Sequence, residues 1–314
     1  MKNVRKLTEG AILLAAFTIL LLLTIYVPVL GIGVNFFLSL PFILFAAKND
    51  WKSILVFIIA SLFISFIAGN VFAIPLALAY GTTGAVMGFL LQRNKGRTAI
   101  FLSGALVFLI NFVIQYAVSI VFFKVNMIDD AINMMRDSLD TSVNMLKGFG
   151  QEQANEKMVE QMKNGLDLID TLVPSLFVMS SFLMVFLIQL VSMPIVKRFG
   201  IPIGSWRAFR DIKLPKSLLW YYLVTMLASM LLHPEKGTYL FAALLNLSYI
   251  LQLFMMVQGI SFIFYFFHRR GSSKTIPIII TILSFLLPVF LSIVRILGII
   301  DLGFDLRKRM ENKQ

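Results

Sequence analysis

The sequence predicts an all-α integral membrane protein, a polytopic helical bundle. Three observations carry this. Hydrophobic residues make up 59% of the 314 residues, with 30 Phe among them. Soluble domains use roughly 45–50%. Several apolar runs approach or exceed the roughly 20 residues that cross a bilayer. The basic residues, which give a net charge of +12, collect in short loops between those runs, as membrane topology demands. That placement argues against nucleic acid as the partner and for the lipid bilayer.

The elements follow in order. MKNVRKLTEGAILLAAF opens with a basic start and runs apolar to about Leu30 without a small-residue cleavage site, so it reads as a retained first helix. Nine spans are expected, at about 8–30, 32–47, 53–69, 71–92, 98–123, 172–196, 217–232, 238–267 and 276–300. With the N-terminus cytoplasmic, the inner loops hold 17 of the 28 basic residues, and most acids lie outside. The positive-inside rule then sets a plasma-membrane orientation. The tail breaks the pattern. Arg307, Lys308, Arg309 and Lys313 fall outside in a nine-span arrangement, and eight or ten spans would return them.

Two regions do not span. Residues 124–171 hold nine acids and five bases. Ile128, Ile132, Met135, Leu139, Val143 and Leu146 recur at helical spacing, as do Met158, Met162, Leu166 and Ile169. They predict two amphipathic helices on the outer face, broken near Gly148 and Gly150. RFGIPIGSWRAFRDIKLPKSLLW, with Trp206 and Trp220 among Arg and Lys, reads as an inner interfacial segment. The expected organisation is a six-span unit over 1–196 carrying the insertion 124–171, a connector over 197–216, and further helices with a polar tail over 217–314.

AYGTTGAVMG places glycine at 81, 84 and 88 of one span. Each glycine costs a helix about 1 kcal/mol relative to alanine. Small residues four apart let membrane helices approach closely, so Gly81, Gly84 and Gly88 form one packing face, and Ala11 and Ala15 a second. Around them lie polar groups at depth: Asn35, Tyr80, Thr82, Thr83, Asn111, Gln115, Tyr116 and Ser180. Polar groups in hydrocarbon must find partners, either one another or a ligand.

The absences bound the chemistry. Without cysteine there is no disulfide or thiolate site. The two histidines stand at segment ends, so neither metal nor other cofactor is expected. No phosphate loop of the GxxxxGK[ST] kind occurs, and no nucleophile–base pair, so the chain does not read as an enzyme. Asp129 and Asp130 read as a helix cap. No carboxylate sits at the centre of a span, and Arg295 is the ionisable exception.

AIPLALAYGTTGAVMGFLLQRNKGR, together with EGAILLAAFTILLL after a basic start, resembles the substrate-binding components of energy-coupling-factor transporters. The whole chain, GIPIGSWRAFRDIKLPKSLLW included, resembles the YybS-like bacterial membrane proteins, a family without an assigned function. The transporter resemblance implies a six-helix unit like those components, with Ala11 and Ala15 on the face that docks a coupling subunit. It implies a vitamin-like solute near Asn35, Tyr80, Gln115 and Ser180, and separate ATPases that supply energy. This chain adds about three spans and an insertion of about 48 residues to that pattern. Two functions follow. One is a binding and transport component for a small solute. The other is a non-transporting interaction protein, for signalling or envelope work, that recruits partners through its outer helices and inner loop.

Overall fold

A computed structural model describes residues 2–148, 156–206 and 208–311. Arg207, Lys313 and Gly150 lie outside them, as do the side chains of Leu146 and Met158. Among the described residues the regular elements are all helical. Seven helices are long and apolar enough to cross a membrane, and two shorter apolar ones, Lys216–Leu232 and Thr275–Leu286, accompany them. The chain divides into two compact units, residues 1–133 with 176–205 and residues 134–175 with 206–314.

The first unit contains α1 (Lys2–Tyr26), α2 (Pro28–Val34), α3 (Leu40–Ala46), α4 (Trp51–Gly69), α5 (Ala73–Gln92) and α6 (Arg97–Phe123). α7 (Met127–Gly148) begins in it, α8 (Glu156–Thr171) belongs to the other unit, and most of α9 (Val173–Arg198) returns to the first. The second span is not one helix. α2 and α3 are separated by a 3-10 turn at Asn35–Phe37, and Pro41 stands in the first turn of α3. Proline fits a first helical turn, where its missing N–H leaves no bond unmade.

α3 explains the glycines of α5. A Cβ on Gly84 would lie 2.6 Å from the Ser39 carbonyl oxygen, one on Gly88 would strike the Ile43 carbonyl, and Gly81 faces the Phe42 ring. The backbones meet because no side chain separates them. Phe42 then anchors an aromatic cluster, edge-on to Phe17 and Phe57 with ring centroids 5.0 and 5.2 Å away. Phe17, Leu21, Phe42 and Phe108 are fully buried in this core.

Three contacts gather the basic loops of this unit at one end. Lys6 pairs with Asp50, the N-cap of α4, and Lys48 pairs with Glu9. Gln92 donates to the Asn49 carbonyl. Lys6 holds the exposed Asp50 carboxyl well below the usual carboxylate range, helped by Ser53.

The second unit contains α10 (Lys216–Leu232), α11 (Tyr239–Arg269), α12 (Thr275–Leu286), α13 (Pro288–Phe304) and α14 (Leu306–Glu311). It corrects the expected ninth span over 276–300. Leu287 is extended (φ −119°, ψ 110°) and Pro288 opens a new helix, because the residue before proline is driven out of the helical region. α13 runs parallel to α11: Gln252 accepts from Arg295, and Gln258 donates to Asp301. The tail therefore ends beside the 209–216 connector. Lys213 and Lys216 both pair with Asp305, and Arg307 donates to the Arg210 carbonyl. The basic tail and the basic connector thus share one end of this unit.

Candidate functional site

The polar residues singled out in the first unit divide by what they touch. The Asn111 amide donates to Thr82 Oγ1 at 3.0 Å and to the Val107 carbonyl at 2.8 Å. Gln115 donates to the Pro75 carbonyl at 2.9 Å, and the Tyr116 hydroxyl to Asn126 at 3.2 Å. Thr82 itself donates to the Leu78 carbonyl one turn back at 2.7 Å. Asn111 and Gln115 brace α5 against α6, whereas the Tyr116 bond stays at the end of α6. Ser180 is exposed on α9 and does not join them. Ala11 and Ala15 are exposed on α1.

Other polar atoms stay orphaned among the described residues. Thr83 Oγ1 and Asn35 Oδ1 are buried without a partner. Asn35 stands in the break of the second span, facing the Tyr80 hydroxyl, which itself reaches Met184 Sδ at 3.7 Å. On α9, Gln189 is 1% exposed and neither end of its amide is bonded; Ser192, three residues on, is fully buried and also unbonded. The sequence reading passed over both, because a lone Gln in an apolar helix gives no periodic signal. Tyr80, Thr83 and Met87 share a face of α5, and the Gly104 position of α6 touches both Met87 and Val185. Thr83, Gln189 and Ser192 therefore face the interior enclosed by α5, α6 and α9. A buried amide or hydroxyl without a partner costs about 1–3 kcal/mol, and more in hydrocarbon.

The second unit holds a buried ion pair that the sequence reading also missed. Asp301 is fully buried and Arg307 is 6% exposed. Arg307 Nε donates to Asp301 Oδ2 at 2.9 Å, and Gln258 Nε2 donates to the same oxygen at 2.5 Å. The other ends of these groups hold the connector. Gln258 Oε1 accepts from the Leu214 N–H at 2.9 Å, and Ser261 donates toward the Phe209 and Ile212 carbonyls at 2.7 and 2.8 Å. Asp301 falls one residue past the expected end of the last span, so its depth became visible only with the packing. Among the described residues, no group of three or more His, Cys, Asp or Glu could hold a metal ion.

Fold and interior together define a polytopic all-α membrane protein with polar groups inside its bundle. The chain belongs to the family described as Predicted membrane protein (DUF2232), which matches residues 15–302. It is 35% identical over 311 residues to the Uncharacterized protein YybS of Bacillus subtilis (strain 168), covering 99% of this chain and 100% of that one. No solved structure matches the chain.

Proposed function

We propose that this protein is a membrane-embedded binding component for a small polar solute, held in the first unit between α5, α6 and α9. The observation that carries this reading is Gln189, whose whole amide is buried and unbonded beside the equally unbonded Ser192, one turn beyond Val185 on the face of α9 that meets α6 at Gly104. An amide that a sequence keeps in hydrocarbon is balanced by something that bonds it. A vitamin-like molecule with amide or hydroxyl groups matches these donors and acceptors. Asn111 and Gln115 serve the frame, their amides being bonded to the chain itself.

Movement of such a solute needs energy, and the chain has no nucleotide-binding loop, so separate energising subunits would supply it. Exposed Ala11 borders an open hollow of about 450 Å³ with Gly10, Lys6, Lys52 and Ala60. This supports α1 as the face for a coupling subunit. The basic loops gathered at that end support its assignment to the cytoplasm of a bacterial cell by the positive-inside rule.

The test uses Gln189→Leu. Native mass spectrometry of the purified protein, exposed to a metabolite panel, is expected to show a retained small molecule that this variant loses. Ligand-free Gln189→Leu is expected to melt higher than ligand-free wild type, since replacing an unbonded amide with an apolar group removes a desolvation cost of about 1–3 kcal/mol. No retained molecule, or a lower melting temperature in the variant, would overturn the reading. An affinity pull-down that recovers partners on the outer helices, with no solute held, would favour the interaction-protein alternative.

A further inference from the structure

A second surface points to a different occupant, independently of the solute reading. α7 and α8 run antiparallel, since Arg136 pairs with Asp167 and Lys163 with Asp140, both at 2.9 Å. Their apolar faces stand apart around an open hollow of about 700 Å³. Met134, Met135, Leu139, Met162, Leu166 and Ile169 line it. Met134 is 70% exposed and Met135 53%, so the hollow is not filled by the chain. Gly165 lies in its wall with nothing within 4 Å of where a Cβ would stand. The glycine widens the hollow and no packing requires it.

Chemistry selects the occupant. Methionine side chains are flexible and polarisable, and suit grooves that receive varied apolar partners. The rim is acidic. Exposed Asp137, Glu160 and Asp170 each adjoin a lining residue, Ser138, Val159 and Ile169. Residues 124–171 carry nine acids against five bases in a chain of net charge +12. Two of those bases, Arg136 and Lys163, are already bound to Asp167 and Asp140. An apolar groove with an acidic rim complements a helix with an apolar stripe and basic flanks. At 1.5 Å per residue, the 16 residues of α8 offer a wall about 24 Å long, room for roughly four turns.

We propose that the hollow between α7 and α8 is a docking groove for a basic amphipathic helix of a partner protein. The test places the full chain in neutral phosphatidylcholine nanodiscs, with empty discs as the control. Two labelled 18-residue probes are compared by fluorescence anisotropy, a Lys/Leu amphipathic helix and a Glu/Leu helix with the same apolar face. The Lys/Leu probe is expected to bind at least tenfold more tightly. Gly165→Leu fills the hollow without a clash and is expected to weaken that binding at least tenfold. The triple variant D137N, E160Q and D170N is expected to remove most of the preference between probes. Equal affinity for both probes, or unchanged binding by Gly165→Leu, would overturn the proposal. So would quenching of a tryptophan placed by Met162→Trp, with Trp51, Trp206 and Trp220 replaced by Phe, when brominated acyl chains are present without peptide, because the groove would then belong to lipid.

Discussion

At the scale of single residues, the tightest approach at any described glycine rests on two that drew no notice in the sequence. A Cβ on Gly259 would collide with the Val294 carbonyl, and one on Gly298 with the Met255 carbonyl. Those are backbone atoms, so no side-chain rotation relieves the clash. Gly298→Ala is expected to cost on the order of 1–3 kcal/mol, the usual range for overpacking, read as a lower melting temperature in detergent. Gly33 and Gly165 meet nothing within 4 Å, and alanine at Gly33 is expected to leave melting unchanged. The Asp301–Arg307 pair supplies a further expectation. Asp301→Ala leaves a buried guanidinium unpaired and should cost about 3–5 kcal/mol, whereas a double replacement by Leu and Met should cost less. A double-mutant cycle on thermal stability separates the two. If the double variant loses as much as the single, the pair is not the source of the effect.

At the scale of elements, the connector is held from both sides. Ser261 and Gln258 of α11 bond its backbone, and Asp305 at the end of α13 bonds Lys213 and Lys216. Those two lysines, Lys213 foremost, bring the Asp305 carboxyl down to about 2. A carboxylate of ordinary pKa near 3.9 that is lowered on folding stabilises the fold above that value. Its contribution is lost as pH falls through the folded pKa. Protease cleavage within 206–216 is therefore expected to stay constant from pH 7 to about 4 and to rise only below that, as the pH falls toward 2. Asp305→Asn is expected to raise cleavage already at pH 7. A wild-type rise in cleavage between pH 7 and 5 would show that another group holds the connector.

At the scale of the whole molecule, each unit carries its own topology. In the first, the N-terminus, the Lys48–Lys52 loop and Gln92 share one end through direct bonds. In the second, the connector and the tail share one end, and α10 carries the chain away from it. The sequence has no cysteine, so single-cysteine variants report without background. Within the second unit, cysteines at Lys213 and Lys308 are expected to react with an impermeant maleimide from the same side, and one at Lys236 from the other. Labelling of 213 and 308 from opposite sides would restore a single ninth span.

Hydropathy and loop charge by themselves determined that this is a helical membrane protein, because a bilayer admits few backbone solutions and every apolar run must satisfy its own hydrogen bonds. The amphipathic pair in 124–171 and the close approach at Gly84 and Gly88 were likewise legible, since each is a matter of spacing along one helix. Other features depended on which faces meet. Nothing local distinguishes Gln189, orphaned in the interior, from Gln115, bonded to Pro75. The burial of Asp301 was equally hidden until α11 is packed against α13, whereas the break at Pro288 had a local cause that hydropathy does not register. Tertiary structure alone decided which polar groups are satisfied from within, for a hydrogen bond between residues forty apart in sequence leaves no periodic trace in either one.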